Sequence, residues 1–474
     1  MPHLGMYVHM HWGYAWPYAA RTWRLQDWGA YASGLKALGY NTVLIWPVFE
    51  TVPDPPTGSD RAHLEKMRQV IEVLHREDMQ VGITLGPNTV SNARAAEYNF
   101  AERPFFLCDE RLDPGDPAQM ERLLSRRRPL LEHVRQADFF AIIDSDPGGW
   151  IGSTADEFAD LLIRHLEMMR EINPRSRLFY WMWAGWEPYN RMWAEAQQGR
   201  SVSFAPTLAD FAPVLRRLAA CPAEAWGVFS CWRVHQEAAV ACGLRERALF
   251  YPYGLVEGEP TFPLTNWQPA RMAEGMVGYD LRATALGVMA NAQTHVVQAP
   301  HTWLFAHLAQ GGKPSDAGLV AFADGLVPGC GRALAEAWQA LGGEDERRMR
   351  GAAGVMDKLA RREHGAGPYS GLLVGGAALF LEDLALQLRF KAAAREFIKG
   401  GRRRLPDLVA AWSAWQQRTG FADAYGDTLN LHPALRALGE GAVSAALDDF
   451  DNWREPGVRH GVVTRLLAAL REVG

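Results

Sequence analysis

From the N-terminus, short apolar, β-prone runs alternate with longer amphipathic stretches. The runs are Met6–Trp12, Thr42–Val48, Gln80–Leu85, Phe139–Asp144, Leu178–Trp183, Trp226–Trp232, Ala248–Tyr253 and Ala285–Ala292. Between them, Trp28–Leu38, Ala62–Arg76, Ala118–Gln136 and Ala155–Ile172 space their apolar residues as helices do. Strands alternating with helices predict parallel β/α units, and eight such units predict a closed (β/α)₈ TIM barrel. An open dinucleotide-binding sheet would need a glycine-rich phosphate turn after its first strand, and none is present.

The residues between the runs agree. Asp116-Pro117 places a capping side chain before a proline suited to the first helical position. Thr154 and Glu157 form a capping-box pair that opens the helix after strand four. Asn173-Pro174 stops that helix. After Gln310, Gly311-Gly312-Lys313-Pro314 breaks the chain and helical periodicity takes over. Helices are expected over Gly318–Leu326, Gly331–Leu341, Glu344–Arg362, Gly371–Lys399, Leu405–Arg418 and Val458–Glu472. The expected division is a barrel of residues 1–310 and an α-helical domain of residues 311–474, with no fixed-period repeat.

Composition narrows the classes. A net charge of -5 over 474 residues gives no reason to expect nucleic acid, and no apolar run is long enough for a membrane span. Arg126-Arg127-Arg128 and Arg402-Arg403-Arg404 read as solvated helix faces. The five cysteines are far apart and form no CxxC, so reduced thiols in a cytoplasmic protein are expected. A secreted protein whose signal has been removed would read the same way. Oligomeric state leaves no trace in the sequence.

The chemistry of a barrel gathers at the C-terminal ends of its strands. Strand four runs from Phe139 into Asp144-Ser145-Asp146-Pro147-Gly148-Gly149-Trp150, an apolar segment ending in two acids. Positions i and i+2 share a face, so both carboxylates are candidates for the mouth; capping or turn closure is the structural alternative. Strand one offers Tyr7, His9 and His11 on one face, and strand two offers Trp46 and Glu50. Asn88 follows strand three. Trp181, Trp183, Trp186 and Glu187 follow from strand five, and Trp232 from strand six. Asn291, Gln293 and His301 lie in and after strand eight. Many of the 18 tryptophans fall at strand ends, some to fill the barrel and others to face its mouth. Aromatic faces beside amides and imidazoles, Trp150 among them, suit a pyranose, and two carboxylates suit glycosidic cleavage.

These residues resemble the glycoside hydrolase barrels that include the family 20 and family 84 hexosaminidases and the α-glucuronidases. The resemblance rests on Leu107-Cys108-Asp109 through Asp113-Pro114-Gly115-Asp116-Pro117, on Ile142–Trp150, and on Phe322-Ala323-Asp324-Gly325-Leu326 through Trp338. It implies a glycosidase acting on a glycan or glycoconjugate, with no metal and no cofactor. Carried over in chain order, Asp144 orients a substrate acetamido group for substrate-assisted retention and Asp146 is the general acid/base. Here Ser145 separates the acids and the second is Asp, so Glu50 and Glu187 stand as partners for a direct two-carboxylate mechanism. One alternative is a barrel that binds carbohydrate without cleaving it. Another is a metal-dependent amidohydrolase, suggested by His9-x-His11, but its further histidines at strands five and six are replaced by tryptophan.

Overall fold

The computed structural model describes residues 3–11, 14–103, 107–145, 147–200, 206–256, 265, 267–277 and 285–419. Eight parallel strands close into a barrel: β1 (His3–His9), β2 (Thr42–Trp46), β3 (Gln80–Leu85), β4 (Phe139–Ile143), β5 (Leu178–Met182), β6 (Trp226–Ser230), β7 (Ala248–Phe250) and β8 (Gly287–Ala292). Each strand pairs with its sequence neighbours, and β8 returns to β1. The fold is the expected TIM barrel. Strand one starts earlier than its apolar pattern suggests, because the His3 N–H bonds to the Leu286 carbonyl at 2.7 Å and Gly5 pairs with Thr42.

The chain divides into two compact units. The first holds the strands and comprises Met1–His11, Tyr40–Tyr253 and Gly275–Asn291. Its interior packs by alternating absence and bulk. A Cβ on Gly5, Gly82 or Gly227 would collide with Met289, Phe139 or Phe179 respectively, so each glycine makes room for a large side chain from another strand. Tyr7, Leu44, Phe139, Phe179, Trp181, Phe229, Tyr251 and Met289 share one buried cluster, and the barrel is a packed core rather than a pore. Helices α2 (Gly58–Arg76), α3 (Pro117–His133), α4 (Ala155–Ile172), α5 (Trp186–Gln197), α6 (Leu208–Ala219) and α7 (Arg233–Ala241) belong to this unit. The caps read from sequence are present. Asp116 accepts from the Ala118 and Gln119 N–H groups, Thr154 and Glu157 form a capping box, and Asn173 ends α4.

The second unit comprises Trp12–Gly39, Gly254–Glu274 and the chain from Ala292 onward. It holds α1 (Leu25–Ala37), α9 (Ala299–Ala309), α10 (Asp316–Leu326), α11 (Gly331–Gly342), α12 (Glu346–Ala360), α13 (Ala377–Gly400) and α14 (Leu405–Thr419); α8 is Pro269–Val277. The helix expected from Gly371 starts at Ala377, because Gly375 and Gly376 take φ of 97° and 89° and turn the chain first. The expected helix at Val458–Glu472 lies outside the described residues. All five cysteines are free. No helix among the described residues is long and apolar enough to cross a membrane.

Within this unit Tyr18 donates a hydrogen bond to Asp383, and Arg418 Nε lies 3.1 Å from the same carboxyl group. Burial pushes the Asp383 carboxyl up to about 7, against the opposing pull of Tyr18 and Arg418. The folded state therefore holds a proton that the unfolded chain, with a carboxyl pKa of about 3.9, has already released. Stability should fall as pH rises through that window, by up to about 1.4 kcal/mol per pH unit, and level off above pH 7. Urea unfolding of wild type and Asp383→Asn across pH 4 to 8 measures this, and the variant should lose the slope. An unchanged slope would place the proton elsewhere.

Candidate functional site

Asp144 follows directly on β4 and is 0% exposed. Its Oδ1 accepts from Ser145 Oγ at 2.8 Å and the Ala184 N–H at 2.9 Å. Its Oδ2 accepts from Tyr180 Oη at 2.9 Å and from the Trp183 and Gly185 N–H groups, each at 3.0 Å. Three successive backbone N–H groups thus converge on one carboxylate, and Gly185 completes the turn at φ 78°. Burial pushes the Asp144 carboxyl above its ordinary range, against the pull of these donors. Asp146, the second acid of the motif, lies outside the described residues.

Glu50 is the other buried acid at the strand ends, 4% exposed. It accepts from the Gly86 N–H through Oε1 and from Trp46 Nε1 at 3.1 Å through Oε2. Trp46, the last residue of β2, meets the His11 ring edge-on at 4.4 Å. His11 lies past the end of β1 and folds back on His9, with ring centroids 3.7 Å apart. Their Nδ1 atoms are 2.5 Å apart, and the His11 N–H also reaches His9 Nδ1 at 3.3 Å. That second bond makes His9 Nδ1 the acceptor and leaves the shared proton on His11. Tyr7 stands beside His9 at 5.4 Å and beside Trp181 at 5.4 Å.

From Trp181 the aromatic chain runs outward. Tyr251 lies 4.9 Å from Trp181, and Tyr253 lies 5.7 Å from Tyr251. Trp183 then meets Tyr253 at 4.7 Å and Trp232 at 4.6 Å. The inner rings are buried in the barrel cluster, whereas Trp183, Trp232 and Tyr253 are half-buried against it. Together these three form an aromatic face at the C-terminal ends of β5, β6 and β7. The sequence reading omitted Tyr251 and Tyr253, although they alternate at a strand end as Trp181 and Trp183 do.

Other expected site residues make contacts within the fold. Trp186 and Glu187 do not extend β5 but open α5, because Gly185 turns the chain before them. Trp186 is 1% exposed, donates to Ser153 Oγ at 3.0 Å and stacks on Phe158. Glu187 accepts from the Ala155 N–H at 2.8 Å, at the start of α4. Buried Asn88 donates to the Leu112 and Gly149 carbonyls at 2.7 and 3.0 Å and accepts from the Gly149 N–H at 3.0 Å. Half-buried Trp150 donates its backbone N–H to Asn190 Oδ1 at 2.9 Å. Asn291 is buried in β8; Gln293 and His301 belong to the second unit, where His301 packs 5.3 Å from Trp267. Among the described residues no group of three or more His, Cys, Asp and Glu side chains is placed to hold a metal ion.

No protein-family model and no curated protein matches this sequence. Several solved structures resemble it. An O-GlcNAc hydrolase from Thermobaculum terrenum is 12% identical, over 99% of this chain and 94% of that one, with a TM-score of 0.46. A family 138 glycoside hydrolase targeting pectin rhamnogalacturonan II is 8% identical, over 94% of this chain and 67% of that one, with a TM-score of 0.48. A β-hexosaminidase from Streptomyces plicatus is 12% identical, over 70% of this chain and 68% of that one, with a TM-score of 0.40.

The bonds of Asp144 make a stability prediction. Asp144→Asn turns an amide NH₂ toward donors that face the carboxylate, leaving some unpaired in a dry site. The expected loss is about 3 kcal/mol, measured as the urea-unfolding difference from wild type. An unchanged midpoint would show that these donors find other partners.

Proposed function

We propose that this chain is a glycoside hydrolase that cleaves a glycosidic bond in a glycan or glycoconjugate by carboxylate acid/base chemistry, with no metal or cofactor. The half-buried face of Trp183, Trp232 and Tyr253 carries the proposal. Such a face matches the apolar C–H surface of a pyranose, whose hydroxyl rim needs polar neighbours. Within the reading, Asp146 is the general acid/base, as the resemblance to the hexosaminidase motif implies.

Asp144 is better suited to positioning than to proton transfer. A carboxylate has about four lone-pair sites, and five donors already address this one. It therefore has little capacity left to orient a substrate acetamido group, and its contribution is to hold the turn that carries Trp183. Glu50, bonded to Trp46, whose ring in turn packs against His11, is the stronger candidate for a second carboxylate. Glu187 is tied to the start of α4. A non-catalytic carbohydrate-binding barrel is the second reading, favoured by the hydrogen bonds that Asp144, Glu50 and Glu187 already make.

Hydrolysis of a panel of aryl and alkyl glycosides tests the proposal, since turnover of at least one is expected. In Asp146→Asn, substrates with poor leaving groups should slow by about 10²–10⁴-fold, and aryl glycosides of acidic phenols much less. Equal losses in both classes would reject Asp146 as the acid. Trp183→Ala should raise KM with a smaller effect on kcat. Sugar binding without turnover by wild type would favour the binding reading, and neither binding nor turnover would sink both.

A further inference from the structure

The aromatic face has a buried histidine behind it. His235, the third residue of α7, is 0% exposed. Its Nδ1 accepts from the Cys231 N–H at 3.1 Å and the Trp232 N–H at 3.4 Å, where β6 gives way to the helix. A ring nitrogen that accepts carries no proton, so the neutral imidazole is protonated at Nε2. Burial lowers its pKa to about 3, and the ring is neutral at pH 7. The Trp183 backbone pulls the other way, favouring a proton on the ring, as a facing carbonyl oxygen does. Among the described residues Nε2 makes no closer hydrogen bond.

The ring is also held by packing. It lies 5.0 Å from the Trp232 ring, and Phe211 of α6 meets it edge-on at 4.6 Å. Phe211 in turn lies against the turn after β5, since a Cβ on Gly185 would come within 3.4 Å of its ring. One buried imidazole therefore touches the backbone that carries Trp232 and the Trp232 ring itself. It also faces the turn that carries Trp183, directly at Trp183 and through Phe211 at Gly185. Trp183 and Trp232 come from different strand ends, yet their rings stand 4.6 Å apart at an interplanar angle of 37°.

We propose that His235 is a positioning residue for this face. Its neutral ring ties the end of β6 to the turn after β5 and so sets the separation and tilt of Trp183 and Trp232. The inference rests on the reading of that face as the sugar platform. Buried as it is, His235 acts only through the two indoles, and stacking between flat surfaces depends on their tilt. The competing role is a plain cap on the first turn of α7, which needs Nδ1 alone.

His235→Asn divides the two roles, because its amide oxygen replaces Nδ1 as acceptor while the reach to Trp183 and Phe211 is lost. Fluorine NMR of the full chain labelled with fluorotryptophan reports both indoles, assigned through Trp183→Phe and Trp232→Phe. The variant should melt close to wild type, yet shift the Trp183 and Trp232 signals together and leave Trp338 and Trp412 of the second unit unmoved. On nitrophenyl glycosides it should raise KM by about tenfold with a smaller effect on kcat, and by less than about twofold once Trp183→Ala is present. An unmoved Trp183 signal, or a KM effect undiminished in the Trp183→Ala background, would reduce His235 to a cap and overturn the assignment. If His235→Asn fails to fold, Phe211→Leu removes the ring behind His235 without touching Nδ1. It should shift Trp232 as well as Trp183, and an unmoved Trp232 would equally overturn the assignment. If wild type neither binds nor cleaves any glycoside, the sugar reading fails, and the indole shifts still decide whether His235 couples the two strand ends.

Discussion

A carboxylate removed from water has to be given donors, and the end of β4 is organised around that requirement. Asp144 draws one hydroxyl from its neighbour, one from Tyr180 on β5, and three backbone N–H groups from the turn that follows β5. Taking such a charge out of water costs several kcal/mol, and hydrogen bonds to a charged group each contribute about 1.5–3 kcal/mol in return. The geometry follows from that balance. Gly185 takes a positive φ, residues 183 to 185 wrap the carboxylate, and the Trp183 side chain is carried toward Trp232 and Tyr253.

The packed interior explains why candidate chemistry gathers at one rim. Glycines on three strands admit Met289, Phe139 and Phe179, so the barrel centre is filled with side chains. Polar groups lie above this dry floor, where Tyr7, His9 and Trp181 mark the change from apolar to polar neighbours. The aromatic chain continues across that boundary. Buried at Trp181 and Tyr251, it becomes half-buried at Trp183, Trp232 and Tyr253. The same residue types therefore serve packing at depth and offer a flat face near the surface.

Much of the fold was legible because its signals are local. Alternating periodicity located the strands, and Asp116, Thr154, Glu157 and Asn173 marked helix ends whose capping depends on residues within one turn. Errors arose where backbone conformation decided. Trp186 and Glu187 follow strand five closely and read as candidates for its rim, yet Gly185 at φ 78° makes them the first turn of a helix. The role of Asp144 was harder still, because three of its donors are backbone N–H groups 39 to 41 positions away, and side-chain identity does not encode them. Tyr251 and Tyr253 were within reach, since their i, i+2 spacing matches that of Trp181 and Trp183.

Placement at a strand end is therefore a weaker guide to reactivity than it first looks. Asp144 holds the turn after β5, Glu50 holds Gly86 beyond β3, and Glu187 holds the first turn of α4. Each acid fixes the backbone of a different segment, so in the proposed enzyme replacing any of them would alter activity through geometry, whether or not it also transfers a proton. Loss of activity would then say little about proton transfer. Leaving-group dependence separates the two roles, because a displaced loop slows good and poor leaving groups alike, whereas a missing proton donor slows chiefly the poor ones. A positioning acid needs saturated oxygens and a fixed rotamer; a proton donor needs an oxygen open to the substrate. In the proposed enzyme these opposed demands divide the motif, with Asp144 committed to the backbone and Asp146 given the proton.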